Sequence, residues 1–340
     1  MVETKRSRIP STLKSWSFWL RLSVTLAILI WLVRTNDLSV LAAELKAADT
    51  LWLILGFSCI TLAIPCTTLR WWYLLKVQGI HLKLLSAGSL VMIGNFFNAF
   101  LPGSTGGDLI KIFYTIKQAP DRKARATLSI LTDRVLGLIA ILTVTMLLIP
   151  FKFTQIADNP EAREYILILA ALLGVVFIGI LTLFFFPLHR LPQGLKNIWL
   201  KVPKRDVILS LYEGFHEHGK AGHLTLKAIA MAGISVFFIL SSGYCIARSL
   251  HLEVSYPLIT IIFSLTLCAI SLPISISGHG VREWMLILMF GIFQVTRHGS
   301  VVGKETAVAF SLIFLGLGMI LALLGGLVYL NYSHQYKKIP

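Results

Sequence analysis

Leu101-Pro-Gly-Ser-Thr-Gly-Gly-Asp108 decides how this chain folds. It follows the apolar run Leu84–Leu101 and precedes a short arm, Leu109–Ile116. Pro102 with Gly106 and Gly107 is where a helix would break, because proline lacks the N–H and glycine loses most on ordering. As a helix the arm is about 12 Å long, too short for a hydrocarbon core of ~30 Å. Broken backbone at membrane depth is tolerated only inside protein or beside a wet cavity. The stretch therefore reads as the tip of a hairpin, Leu84–Lys117, that enters and leaves by one face.

The setting for that reading is a chain that is 56% hydrophobic and only 14% charged, with mean hydropathy +0.78. A soluble domain of 340 residues needs more polar surface than this. The apolar residues also fall into eight blocks: Trp16–Val33, Leu51–Leu75, Leu84–Leu101, Leu128–Pro150, Tyr165–Pro187, Leu226–Leu250, Leu258–Pro273 and Val308–Leu330. The expected fold is an all-α polytopic membrane protein forming a single integral membrane domain over residues 1–340. The basic N-terminal region before Trp16 reads as an uncleaved signal anchor. The longest polar stretch, 188–224, is too short for a core of its own. It reads as a basic cytoplasmic loop with an interfacial helix, since Val207, Ile208, Leu211, Tyr212 and Phe215 recur at helical spacing.

The net charge of +15 excludes little by itself, but its placement does. Basic residues crowd into a few inter-helix segments, as cytoplasmic loops do. Membrane topology, not nucleic acid, accounts for them. If every block crossed once, Lys117–Arg125 and Arg190–Lys227 would both fall outside. Two hairpins remove the conflict and place both termini in the cytoplasm.

The second hairpin is Leu258–Ile292, broken at Pro273 and the glycines Gly278 and Gly280. Pro102 and Pro273 lie 171 residues apart, half the chain. About six full spans plus two re-entrant hairpins result, with inverted repeats at approximately 51–150 and 225–330. That is the outline of a transporter whose site lies between broken helices.

Ionisable residues at membrane depth cost about 2.5–3.5 kcal/mol each on insertion scales and are functional candidates by default. Here they are Asp108, Lys111, Asp133, Arg134, Arg282 and Glu283. Each return arm begins after a glycine turn, so its free N–H groups suit a phosphate or carboxylate. Lys111 and Arg282 add a cation to each. Asn95 and Asn98, on one helical face, add neutral donors. A structural alternative pairs Asp133 with Arg134 and Arg282 with Glu283, and lets Asp108 cap its helix. Cys59, Cys66, Cys245 and Cys268 read as buried apolar residues. His216, His218 and His223 lack further ligands, so neither a metal nor a cofactor is expected. No nucleophile–base motif or nucleotide-binding loop is present.

Asn98-Ala-Phe-Leu-Pro-Gly-Ser-Thr-Gly-Gly-Asp108, Lys111 and Leu131-Thr-Asp-Arg134 together resemble the first signature of the lysylphosphatidylglycerol synthase transmembrane (flippase-like) family. Leu272-Pro-Ile-Ser-Ile-Ser-Gly-His-Gly-Val-Arg-Glu283 resembles the second. Lys111 stands where that family often has Arg, and His279 where a small residue is common. The resemblance implies a multi-pass protein of the plasma (inner) membrane that handles polar lipids, and a stand-alone membrane region without an aminoacyl-transferase domain is expected. The expected substrate is an anionic phosphate-bearing lipid or a polyprenyl-phosphate-linked one, moved between leaflets without covalent chemistry. A scaffold for a lipid- or glycan-modifying enzyme is the alternative, and a membrane-embedded transferase a third.

Overall fold

The structure is a computed structural model that describes residues 38–100, 106–150, 222–271 and 280–336, with helical positions at 171, 174–175 and 178. The expected anchor Trp16–Val33, both hairpin tips including Pro102 and Gly278, and the interfacial helix within 188–224 lie outside the described residues.

The described elements are α1 (Leu38–Ala47), α2 (Thr50–Val77), α3 (Leu84–Phe100), α4 (Gly106–Gln118), α5 (Lys123–Leu148), α6 (His223–Ser249), α7 (Tyr256–Ser271), α8 (Val281–Ile292) and α9 (Lys304–Tyr336). A 3₁₀ turn at Pro120–Arg122 leads into α5. Among the described residues four helices are long and apolar enough to cross a membrane: Thr50–Val77, Pro120–Leu148, His223–Ser249 and Lys304–Tyr332. The protein is an all-α polytopic membrane protein. The order long, short, short, long occurs twice, in α2–α5 and again in α6–α9.

Both short pairs turn back. Hairpin α3–α4 is closed at its base by Arg122, which follows α4 and donates to the carbonyls of Gln78 and Gly79, which precede α3. Hairpin α7–α8 is closed at its base by Glu253, which precedes α7. Its backbone N–H donates to the Thr296 carbonyl, and its carboxylate accepts from the Thr296 hydroxyl and Gly299 N–H beyond α8. The two bases lie at opposite ends of the bundle. The face holding the first carries Lys76, Lys83, Lys117, Arg122, Lys123, Arg125 and Lys227 against Asp121. The other balances Lys46, Arg248, Arg297 and Lys304 with Glu44, Asp49, Glu253 and Glu305.

Among the described residues, strand pairing occurs in the turn after α8. Thr296 pairs with Val301 and Arg297 with Ser300, around His298 and Gly299, both at positive φ. Two positive φ values match the turn that suits strand twist. The turn presents Arg297, whose guanidinium grips Glu44 of α1 with two hydrogen bonds of 2.6 and 2.7 Å. Those bonds hold the Glu44 carboxyl below the usual carboxylate range, against the upward push of burial.

The most extensive helix contact is α2 against α6, which run antiparallel. Asp49 caps α2, accepting from Leu51 N–H at 2.8 Å, and its own N–H donates to the Ser249 carbonyl at the end of α6. Trp52 packs edge-on to Tyr244, and at the far end Lys227 lies over Tyr73. Each hairpin packs on the closing helix of the other half. Phe97 and Tyr114 meet Tyr329 and Tyr332 of α9 edge-on, and Gln118 donates to the Tyr332 hydroxyl. Thr145 of α5 donates to Ser264 of α7 at 2.8 Å.

Candidate functional site

Among the described residues, two polar clusters lie inside the bundle, one per hairpin. In the first, the arms approach so closely that only glycine fits. A Cβ on Gly107 would stand 1.9 Å from the Gly94 carbonyl oxygen. Gly94 in turn leaves room for the stem of Lys111, whose Cδ would lie 2.9 Å from an added Cβ. Such close backbones are how membrane helices gain packing without a hydrophobic drive. Across this contact Asn98 accepts the Gly107 N–H at 2.8 Å.

Lys111 is buried. Its ammonium lies 4.4 Å over the Trp71 ring and 3.9 Å from Asp133, beyond hydrogen-bond reach of that carboxylate. Asp133 is instead held by Arg70 of α2, whose Nε donates to it at 2.6 Å. Trp71 is placed by donating to Ser129 of α5 at 3.3 Å. Arg134 pairs with Asp108, and its side chain is 41% exposed. Among the described residues, Arg70, Lys111 and Arg134 therefore face Asp108 and Asp133, three cations against two carboxylates.

The second cluster is balanced. Gly280, at φ +84°, precedes α8, and its N–H donates to Glu283 at 2.6 Å. Glu283 also accepts from Arg282 at 2.8 Å and from the Ser311 hydroxyl of α9. Arg282 donates to the same Ser311 at 2.5 Å. Asp108 and Glu283 occupy the same place, the third residue of a return arm, and each is matched to an arginine.

Several sequence expectations change here. Asp133 and Arg134 do not pair with each other. Successive residues on a helix point about 100° apart, and these two face α2 and α4 respectively. Arg282 and Glu283 do pair. Asp108 lies in the first turn of its helix and pairs with Arg134, while Asn98 accepts the Gly107 N–H of the same turn. That N–H and Gly280 N–H are thus taken by side chains of the protein itself. Asn98 joins the cluster, whereas Asn95 is exposed on another side of α3. Gly106 starts α4 at intermediate exposure. Pro102, Gly278, His216 and His218 lie outside the described residues. Arg70 was missed, although a lone arginine within Leu51–Leu75 was signal enough.

Comparison with known proteins follows the same lines. The family profile for the lysylphosphatidylglycerol synthase TM region matches residues 18–326. The UPF0104 membrane protein MJ1595 of Methanocaldococcus jannaschii is 23% identical over 261 residues, which is 72% of this chain and 75% of that protein.

Proposed function

This chain belongs to the lysylphosphatidylglycerol synthase TM-region family, and from that premise we propose that it is a plasma-membrane lipid translocase for an anionic, phosphate-bearing headgroup. The observation that carries the reading is the first cluster. Its buried Lys111 ammonium stands beyond hydrogen-bond reach of Asp133, and among the described residues three cations face two carboxylates. Excess positive charge in a low-dielectric interior favours an anion. A phosphate entering beside Lys111 would take the charge-assisted hydrogen bonds of its ammonium that Asp133, clamped by Arg70, leaves unmade. The two carboxylates offset part of that positive charge, which favours release as well as entry. The second cluster, already neutral, suits a closing contact between α8 and α9 better than a second binding step. The repeated element order and the antiparallel α2–α6 pair support the inverted-repeat reading, with the site on the first hairpin.

The test is leaflet exchange in proteoliposomes containing fluorescent phosphatidylglycerol, with a polyprenyl phosphate as competitor. The protein should accelerate exchange. Lys111→Met, in which Asp133 keeps Arg70, should fold normally and lose at least tenfold in rate, about 1.4 kcal/mol of barrier. Folded, inserted protein that accelerates no anionic lipid would transfer the reading to a scaffold for a lipid- or glycan-modifying enzyme.

A further inference from the structure

The entering arms α3 and α7 hold equivalent places in the two hairpins, but their surroundings differ. On α7 ten consecutive residues, Ile259–Cys268, are buried. On α3, Leu85 is 86% exposed. Along this open side runs a groove of about 420 Å³ between α2, α3 and α9, lined by Pro65, Thr68, Leu85, Gly88, Met92 and Val328. That volume lies within the ~300–1,000 Å³ of small-molecule sites. The Ser89 hydroxyl, also at the groove, is spent on the Leu85 carbonyl, so the lining is effectively apolar.

Along α3 the lining runs from Leu84 to Met92, and a polar residue lies just beyond each end of it. Lys83, exposed, stands one residue before α3. Gly88, Met92 and Asn95 are spaced four and three apart and share a helix face, so the same face continues to Asn95. That amide is exposed and makes no hydrogen bond with the described residues. From Lys83 to Asn95 is about 18 Å of helix, close to half of a ~30 Å hydrocarbon core. The groove and its two polar flanks thus span about one leaflet, with a cation before the groove and an amide after it.

We propose that this groove seats one acyl chain of an anionic glycerophospholipid, its phosphate at Lys83. The inference goes beyond the translocation reading and does not depend on it. The cation selects the charge of the headgroup. The amide limits the length of the chain, because hydrocarbon running past Met92 meets a polar group it cannot satisfy. A polyprenyl chain, much longer than one leaflet, is disfavoured.

The experiment is photo-crosslinking in nanodiscs, using phosphatidylglycerol with a diazirine in one acyl chain, then peptide mapping. Adducts on α3 and on α2 near Pro65 should exceed those at Ile54 and Leu323, which are exposed elsewhere, at least fivefold. Gly88→Leu should fill the groove and abolish the excess. Lys83→Glu, at an exposed position that folding does not depend on, should reduce the preference over a phosphatidylcholine probe at least threefold. Asn95→Leu should admit a photoreactive polyprenyl phosphate that the unaltered protein labels weakly. Even labelling of groove and control positions overturns the proposal. Equal labelling by the polyprenyl probe in the unaltered protein overturns it too, as does a headgroup preference unmoved by Lys83→Glu.

Discussion

Arg70 on α2 and Asp133 on α5 meet at 2.6 Å inside the bundle, with side chains only 9% and 8% exposed. An isolated ion there is far more costly than a pair. Asp133→Ala, which strips both Arg70 and Lys111 of this carboxylate, should destabilise the protein by roughly 3–5 kcal/mol. Arg70→Met combined with Asp133→Leu should recover most of that loss, because the pair and not either charge is what the fold requires. Thermal unfolding of the three variants in detergent measures it. A double variant no more stable than Asp133→Ala would contradict the pairing.

The close approach of the first hairpin makes a sharper demand. Gly107→Ala places a methyl group 1.9 Å from the Gly94 carbonyl oxygen, so the arms must part. A loss of about 1–3 kcal/mol is expected from overpacking, along with loss of the Asn98–Gly107 hydrogen bond. Gly291→Ala, where an added Cβ meets nothing within 4 Å, is the matched control on α8. Equal melting temperatures for the two variants would rule out the contact.

Acid should loosen the clasp between α1 and the turn after α8. Glu44 has its carboxyl pKa lowered by Arg297, so its contribution is complete above the ordinary value of 4.5. It is lost as pH falls through the lowered folded value. Melting of the native protein should therefore approach that of Glu44→Gln as pH drops from 6 toward 3, and exceed it above. A gap between the two that stays constant over that range would exclude the linkage.

The asymmetry of charge predicts orientation. The face carrying Arg122 and Lys227 should be cytoplasmic and the face carrying Lys304 external. Single cysteines on a cysteine-free background, treated with an impermeant maleimide in intact cells, should react at 304 and stay silent at 122. The same labelling places positions 204 and 158, expected inside and outside respectively. Reaction at 122 would invert the topology.

Span edges were legible because apolar runs end at charges: Leu51–Leu75 became Thr50–Val77, and Leu226–Leu250 became His223–Ser249. The hairpins were legible because proline, glycine and length conspire against a straight helix. Lone charges such as Lys111 and Glu283 were legible as costly residues. Their partners were not. Whether Asp133 faces Arg70 or Arg134 depends on how α2 and α4 pack around α5, and nothing in the local sequence sets that. Asn95 and Asn98 share one coarse face, yet α4 covers only one of them. Sequence spacing gives the direction of a side chain along its helix, and the neighbour comes from the whole bundle.

The packing of α3 and α4 on α9 has a consequence for how the protein is made. Chains emerge N-terminus first at roughly 5–20 residues per second, so about ten to forty seconds separate Gln118 from Lys304. Throughout that interval Phe97, Tyr114 and Gln118 lack the tyrosines they meet in the finished structure. The first hairpin is thus an unfinished guest in the bilayer, its buried lysine sheltered, among the described helices outside the hairpin, by α2 and α5. Arrival of the final helix locks it in place, and a stalled or shortened product would leave that hairpin open to quality-control proteases.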